Sequence, residues 1–178
     1  MSDFNKMQIL KRRFFAMRNG VIADTLRRGG STFRIIFGLN LPQLVDIARD
    51  YGHDPQLAFE LWNNTACRES LLLAPMLLQP DDVDKEQLSQ MISSINDIEV
   101  ADTFCHRFLR KHPDALNIAT SLEQSPRDMD HYIATRLMLN IVRQHPTEAL
   151  QLAQRELDRN CPFTHRLAHQ LLSSLPTP

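Results

Sequence analysis

The chain has 178 residues, with 20 Lys and Arg, 21 Asp and Glu, and a formal net charge of −1. This length suits one domain with a substantial core, and a hydrophobic content of 43% excludes a disordered chain. The balanced charge removes the usual argument from bulk basicity for nucleic-acid binding, and no uncharged apolar run approaches the roughly 20 residues that span a bilayer.

The N-terminal region predicts helices near 3–19 and 21–28 and a third that starts at Pro42. All five glycines lie within the first 52 residues. Because tight hairpin turns favour glycine, the rest of the chain is expected to form helices joined by Pro, Asp and Ser corners.

Prolines mark a repeating pair of helices in the rest of the chain. Pro80, Pro113 and Pro146 are spaced 33 residues apart, and the residues around Pro113 recur around Pro146. Proline suits the first turn of a helix, so each of the three is expected to open one. The predicted pairs are 55–63 with 66–78, 82–93 with 97–111, 113–123 with 126–144, and 146–158 with 162–174.

A period of about 33–40 residues with two helices per unit is typical of an α-solenoid. We therefore predict an all-α, HEAT-like solenoid of about four helix pairs plus N-terminal helices, in a single domain over 1–178. An irregular helical bundle with coincidental proline spacing is the alternative. Pro75 is expected to kink the helix that contains it, and Trp62 to fill the core between helices.

The cysteines and the N-terminus predict where the protein resides. Cys67, Cys105 and Cys161 are odd in number and far apart, so neither a disulfide framework nor a paired-cysteine metal site is expected. The first 20 residues are too charged for the apolar segment of a signal peptide. These features predict a cytoplasmic protein with reduced thiols.

Charge is unevenly distributed along the chain. The net charge is +6 over residues 1–40, −9 over 41–104 and +2 over 105–178. A helical array with basic ends can present a cationic face although the whole chain is nearly neutral. For each individual charged residue, a solvated helix face is the simpler interpretation.

Asp102 and Arg136 are the strongest candidates for chemistry. In the helix predicted at 97–111, Asp102 lies on or beside the apolar face, where a carboxylate needs a partner or a function. It is interpreted as a helix-packing residue or as an active-site carboxylate. Arg136 lies 34 residues later, one repeat along, so the two could face each other as a structural ion pair or as part of a substrate site.

Two further motifs are weaker. His165 and His169 have the i,i+4 spacing that can bind a metal from one helix face, but no third ligand is evident, and we predict no metal and no cofactor. Gly29-Gly30-Ser31 follows two arginines, yet it lacks the spacing of a phosphate-binding loop and is interpreted as a helix-ending turn.

Residues 37–112 resemble the DNA alkylation repair family of HEAT-like-repeat glycosylases. The resemblance rests on Phe37-Gly38 with Leu41-Pro42-Gln43-Leu44, on Ala58-Phe59-Glu60-Leu61-Trp62, on Glu69, Leu73-Ala74 and Leu77-Leu78, and on Asp97-Ile98-Glu99-Val100-Ala101-Asp102. The last segment is similar to the family's Trp-Asp-x-x-Asp motif.

This resemblance implies a concave basic face that holds duplex DNA through its backbone. It implies Asp102 as the catalytic Asp and places Arg136 near the family's active-site arginine, as a substrate-binding residue. The candidate DNA contacts are Arg107, Arg110, Lys111 and Arg143. The chain departs from the family pattern at Ile98, which replaces the first active-site tryptophan, at Leu71, which replaces an arginine, and after Phe163, where no further aromatic residue follows.

These departures leave two functional hypotheses. The first is a DNA-binding member of the family, in which the missing aromatics argue against N-glycosidic cleavage because π faces and a carboxylate stabilise a developing cation together. The second is a non-catalytic solenoid that binds a protein or peptide. Neither hypothesis involves a membrane.

Overall fold

The computed structural model describes residues 3–176, with side chains from residue 6 onward. Within that range the chain forms eleven α-helices, three short 3-10 helices and one isolated β-bridge, so the all-α prediction is confirmed. None of these helices combines the length and the apolarity that crossing a bilayer requires. The chain divides into two compact units, Met1–Asp82 and Val83–Pro178. The prediction of one domain over 1–178 stays a prediction.

Five α-helices form the described part of the first unit, and capping side chains and a proline determine where some of them begin and end. Asn40 and Asp54 cap the helices Leu41–Tyr51 and Pro55–Asn63 through their side chains. As predicted, Trp62 is buried. Where the sequence predicts a kink at Pro75, the helix instead ends at Leu73 and a 3-10 turn, Ala74–Met76, follows, because proline has no N–H to continue the helix. The helices are α1 Asp3–Ala16, α2 Gly20–Arg28, α3 Leu41–Tyr51, α4 Pro55–Asn63 and α5 Arg68–Leu73.

The buried carboxylate of Glu69, on α5, fixes the long loop between α2 and α3. Oε1 accepts hydrogen bonds from Gly38 N at 2.9 Å and from Arg68 Nη1 at 2.8 Å, and Oε2 accepts one from Phe37 N at 3.0 Å. Gly38 has φ of +79°, and a Cβ there would collide with the backbone oxygen of Asn19. The loop therefore requires both the carboxylate and the glycine.

Six α-helices form the described part of the second unit: α6 Lys85–Ser94, α7 Ile98–Arg107, α8 Ala115–Leu122, α9 Asp128–Ile141, α10 Pro146–Arg159 and α11 Pro162–Ser173. Helices α7, α9 and α11 lie side by side. α8 packs on α9 and α10 on α11, which confirms the two C-terminal helix pairs of the sequence prediction. A 3-10 helix, Leu109–Lys111, follows α7.

The prediction that each spaced proline opens a helix is correct for Pro146 and wrong for the other two. Pro146 is the first residue of α10. Pro80 begins only the 3-10 helix Pro80–Asp82, and Pro113 precedes the cap of α8. Proline drives the residue before it into an extended conformation, and His112 has ψ of 134°. An extended residue before proline is compatible with a proline in the turn that precedes a helix as well as with one in the first helical turn.

A buried polar network holds α9, α10 and α11 together. Glu156, on α10, is hydrogen-bonded to His131 Nδ1 on α9, and it accepts a hydrogen bond from Thr164 Oγ1 on α11 at 2.8 Å. All three side chains are buried. A buried network with satisfied polar atoms sets the positions of its helices, and His131 and Thr164 directly adjoin two residues of the site described next.

Candidate functional site

Asp102 lies at the margin of the buried face of α7. The helix begins after Asp97, whose side chain accepts a hydrogen bond from Val100 N at 3.1 Å. Ala101 and Cys105, on either side of Asp102 along the buried face, are fully buried, whereas the Asp102 side chain is 32% exposed. Packing thus fixes the backbone while the carboxylate reaches solvent.

Arg136 meets Asp102 because α7 and α9 run in parallel with matching residues 34 positions apart. Arg136 Nε lies 3.0 Å from Asp102 Oδ1, and one turn further His106 Nδ1 lies 3.0 Å from Asn140 Oδ1. The Arg136 contact is an ion pair without a directed hydrogen bond. The structure therefore brings the two candidate residues together, while their functional roles stay predictions.

Tyr132 is a member of this site that sequence reasoning missed. Its hydroxyl donates a hydrogen bond to Asp102 Oδ1 at 2.9 Å. Tyr132 precedes Arg136 by four residues on α9, so both side chains project from the same face of the helix. That i,i+4 spacing, one repeat after Asp102, is the signal that could have found it.

The electrostatics of the site follow from partial burial. Burial raises the pKa of Asp102, and the Arg136 charge and the Tyr132 hydrogen bond offset only part of this rise. Glu99 and Asp97 add smaller increases. Burial raises the pKa of Tyr132 too, followed by the neighbouring Asp102 charge, so the phenol stays protonated and acts as a donor.

Two exposed apolar side chains lie on the helices of the site. The Phe163 ring packs against Tyr132, with centroids 5.4 Å apart and planes inclined by 45°. Ile98 lies one turn before Asp102 on α7 and is 43% exposed, and Phe163 is 37% exposed. Of the three large exposed hydrophobic residues in the described part of the second unit, these two flank the site, and the third is Leu150.

Basic side chains cluster just beyond the site, at the C-terminal end of α7. Arg110 and Lys111 are exposed. Burial lowers the pKa of Lys111, followed by the charges of Arg110 and Arg107, which places the three cations near one another. Arg107 Nε is buried and has no hydrogen-bond partner among the described residues. The register of α7 and α9 sets the exposed Arg143 at the same end.

The weaker motifs do not build sites. The rings of His165 and His169 pack edge to face with centroids 4.6 Å apart, an internal contact of α11. Within residues 3–176, no group of three His, Cys, Asp or Glu side chains is arranged to hold a metal ion. Gly29 caps the end of α2, as expected for a helix-ending turn.

Comparison with known proteins gives one match. The family model described as DNA alkylation repair enzyme matches residues 10–169, which include every residue of the site. No curated protein and no solved structure matches the chain.

Proposed function

Because the chain belongs to the DNA alkylation repair enzyme family, we propose that it binds duplex DNA through the basic end of α7 and α9 and presents Asp102 to an alkylated base. The observation that carries this proposal is the juxtaposition of a carboxylate that is about one-third exposed, an aromatic pair and a cation cluster within one unit.

The cation cluster suits phosphate groups. Burial lowers the pKa of Lys111, and Arg110 and Arg107 lie close enough for their charges to lower it further. Within the described residues, no ion pair neutralises any of these three cations. Unneutralised cations held together repel one another, and this repulsion is relieved when they bind an anion. Regularly spaced phosphates along a DNA strand are such anions.

Binding is tested by fluorescence anisotropy of a labelled duplex over a range of salt concentrations. We expect a steep loss of affinity with salt, because each phosphate contact releases counterions. Arg110→Gln and Lys111→Gln should each reduce the magnitude of the salt slope by about 1. Arg49→Gln removes an arginine that is ion-paired with Asp46 on α3, and it should leave the slope unchanged. No duplex binding at low salt and micromolar protein would overturn the proposal.

A second proposal concerns chemistry at Asp102. Cleaving an N-glycosidic bond leaves the bonding electron pair on the base and develops positive charge on the sugar, until water adds at C1′ and releases a proton. Asp102 Oδ2 accepts no hydrogen bond from the described residues, so it is available to stabilise that charge. Tyr132 and Phe163 supply aromatic faces close by, in place of the two tryptophans that the family pattern predicts.

Release of an N-alkylated purine from a duplex tests this chemistry. We expect Asp102→Asn to reduce the excision rate by about 100-fold or more, because it removes the negative charge that faces the developing cation. Glu99→Gln, which removes the same charge three residues earlier on α7, should have a far smaller effect. Equal release by wild type and Asp102→Asn would exclude Asp102 from the mechanism. Binding without release by the wild type would leave a DNA-binding protein that lacks this activity.

A further inference from the structure

The two oxygens of the Asp102 carboxylate have different surroundings. Oδ1 accepts the hydrogen bond of Tyr132 and lies beside Arg136 Nε. Oδ2 accepts a hydrogen bond from neither of them. Arg136 does not direct an N–H at the carboxylate, so Tyr132 is the only hydrogen-bond donor to the Asp102 side chain among the described residues. The orientation of the carboxylate therefore depends on one phenol.

Tyr132 is itself held firmly. The residue is only 8% exposed, and its ring packs against Phe163 of α11. The preceding residue, His131, is anchored by Glu156 and by a hydrogen bond between its Nε2 and the Ser125 backbone oxygen at 2.8 Å. Because Tyr132 is held by α9 and α11 and donates a hydrogen bond to Asp102, the position of the carboxylate on α7 depends on how α9 and α11 pack.

We infer that Tyr132 is a positioning residue, whose phenol fixes Oδ1 of Asp102 against α9 so that Oδ2 is presented to the ligand. This inference rests on the proposed function for its catalytic consequence, but the geometric part stands on the site alone. Tyr132 therefore has a role distinct from that of Arg136. Tyr132 orients the carboxylate through a hydrogen bond, whereas Arg136 contributes a favourable charge without directing an N–H at it.

The titration of Asp102 reports this role. The groups facing the carboxylate are Tyr132 and Arg136 on α9 and Glu99, Asp97 and Cys105 on α7. Of these, Tyr132 and Arg136 favour the ionised carboxylate. Removing the phenol hydroxyl leaves the aromatic packing in place and takes away one of the two favourable contacts, so Asp102 should bind its proton more tightly.

The experiment compares wild type with Tyr132→Phe in the full chain, by carbon-13 NMR titration of the aspartate carboxyl groups, with Asp102→Asn identifying the resonance. We expect the Asp102 midpoint to move upward in Tyr132→Phe. In Tyr51→Phe, which alters the other tyrosine, the midpoint should not move. The excision rate should fall about tenfold or more, since a hydrogen bond to a charged group is lost, while duplex affinity stays unchanged.

The two proposals can fail separately. An unchanged Asp102 midpoint in Tyr132→Phe overturns the positioning role, whether or not the protein excises bases. The same holds if Tyr132→Phe only lowers the melting temperature and leaves the midpoint in place, because that result assigns the phenol to stability alone. An upward shift in a protein without excision supports the positioning role and overturns the proposed chemistry.

Discussion

Each unit of this protein contains a carboxylate beside an arginine, and the two carboxylates are used in opposite ways. Glu69 is fully buried, and both of its oxygens accept hydrogen bonds, from Arg68 and from two backbone N–H groups. Asp102 is about one-third exposed, and only Oδ1 accepts a hydrogen bond from another described side chain. A carboxylate whose two oxygens both accept hydrogen bonds stabilises the fold, whereas one with an oxygen that accepts none can bind a ligand.

The difference follows from what each carboxylate faces. Glu69 faces the backbone N–H groups of Phe37 and Gly38, and buried N–H groups of a loop must be satisfied by some acceptor. Asp102 faces two side chains, and the net effect of its surroundings is a raised pKa, so its charge is only partly compensated. Functional sites often contain charged groups whose charge is only partly compensated, which lowers stability but leaves the group able to react.

The same chemical change at the two positions gives the largest contrast. Glu69→Gln should reduce the free energy of unfolding by about 3–5 kcal/mol, because the buried Arg68 loses the negative charge of Glu69 and an amide N–H₂ is turned toward backbone donors. Asp102→Asn should change it by no more than about 1 kcal/mol at neutral pH. Urea denaturation of both variants measures the difference. Equal losses at the two positions would contradict the division into a structural and a functional carboxylate.

Gly38 tests the structural half of the comparison without touching a charge. Gly38→Ala should cost about 1–2 kcal/mol for the positive φ and about 1–3 kcal/mol more for the collision with the Asn19 backbone. Gly52→Ala is the matched control, because Gly52 has φ of +67° and open space around its Cβ position, so only the first cost applies. Thermal unfolding measures the loss of stability in both variants. A smaller loss in Gly38→Ala than in Gly52→Ala would show that Glu69 alone determines the conformation of the loop.

The sequence predicted the helices well because their signals are local. Proline positions, apolar periodicity and the lack of glycine after residue 52 act over a few residues, and they located α4, α10 and α11 to within two residues. The spacing of one repeat also suggested that Asp102 and Arg136 meet, since stacked helices convert a sequence period into a contact.

The interactions that the sequence did not predict are long-range ones. The hydrogen bond between Tyr132 and Asp102 spans 30 residues, and the one between Glu69 and Phe37 spans 32. Neither depends on local propensity. Phe163 was considered only as the last aromatic residue of the chain, because its contact with Tyr132 requires the register of α9 against α11.

The smallest expected effect is the pH dependence of stability that Asp102 contributes. Burial raises its pKa in the folded protein above the ordinary value of 3.8, so the folded state holds this proton more tightly than the unfolded chain does. The stability that this proton contributes is fully present below the unfolded value and is lost as pH rises through the folded one.

Asp102→Asn has no such proton to lose. Relative to this variant, wild type should therefore lose stability as pH rises from about 4 toward neutrality. Urea denaturation of both proteins at several pH values measures the gap, with Asp158→Asn, at an exposed position on α10, as the background for losing one carboxylate. Parallel curves would mean that Arg136 and Tyr132 fully compensate the charge. Asp102 would then be a structural carboxylate like Glu69, and a gap of opposite sign would lead to the same conclusion.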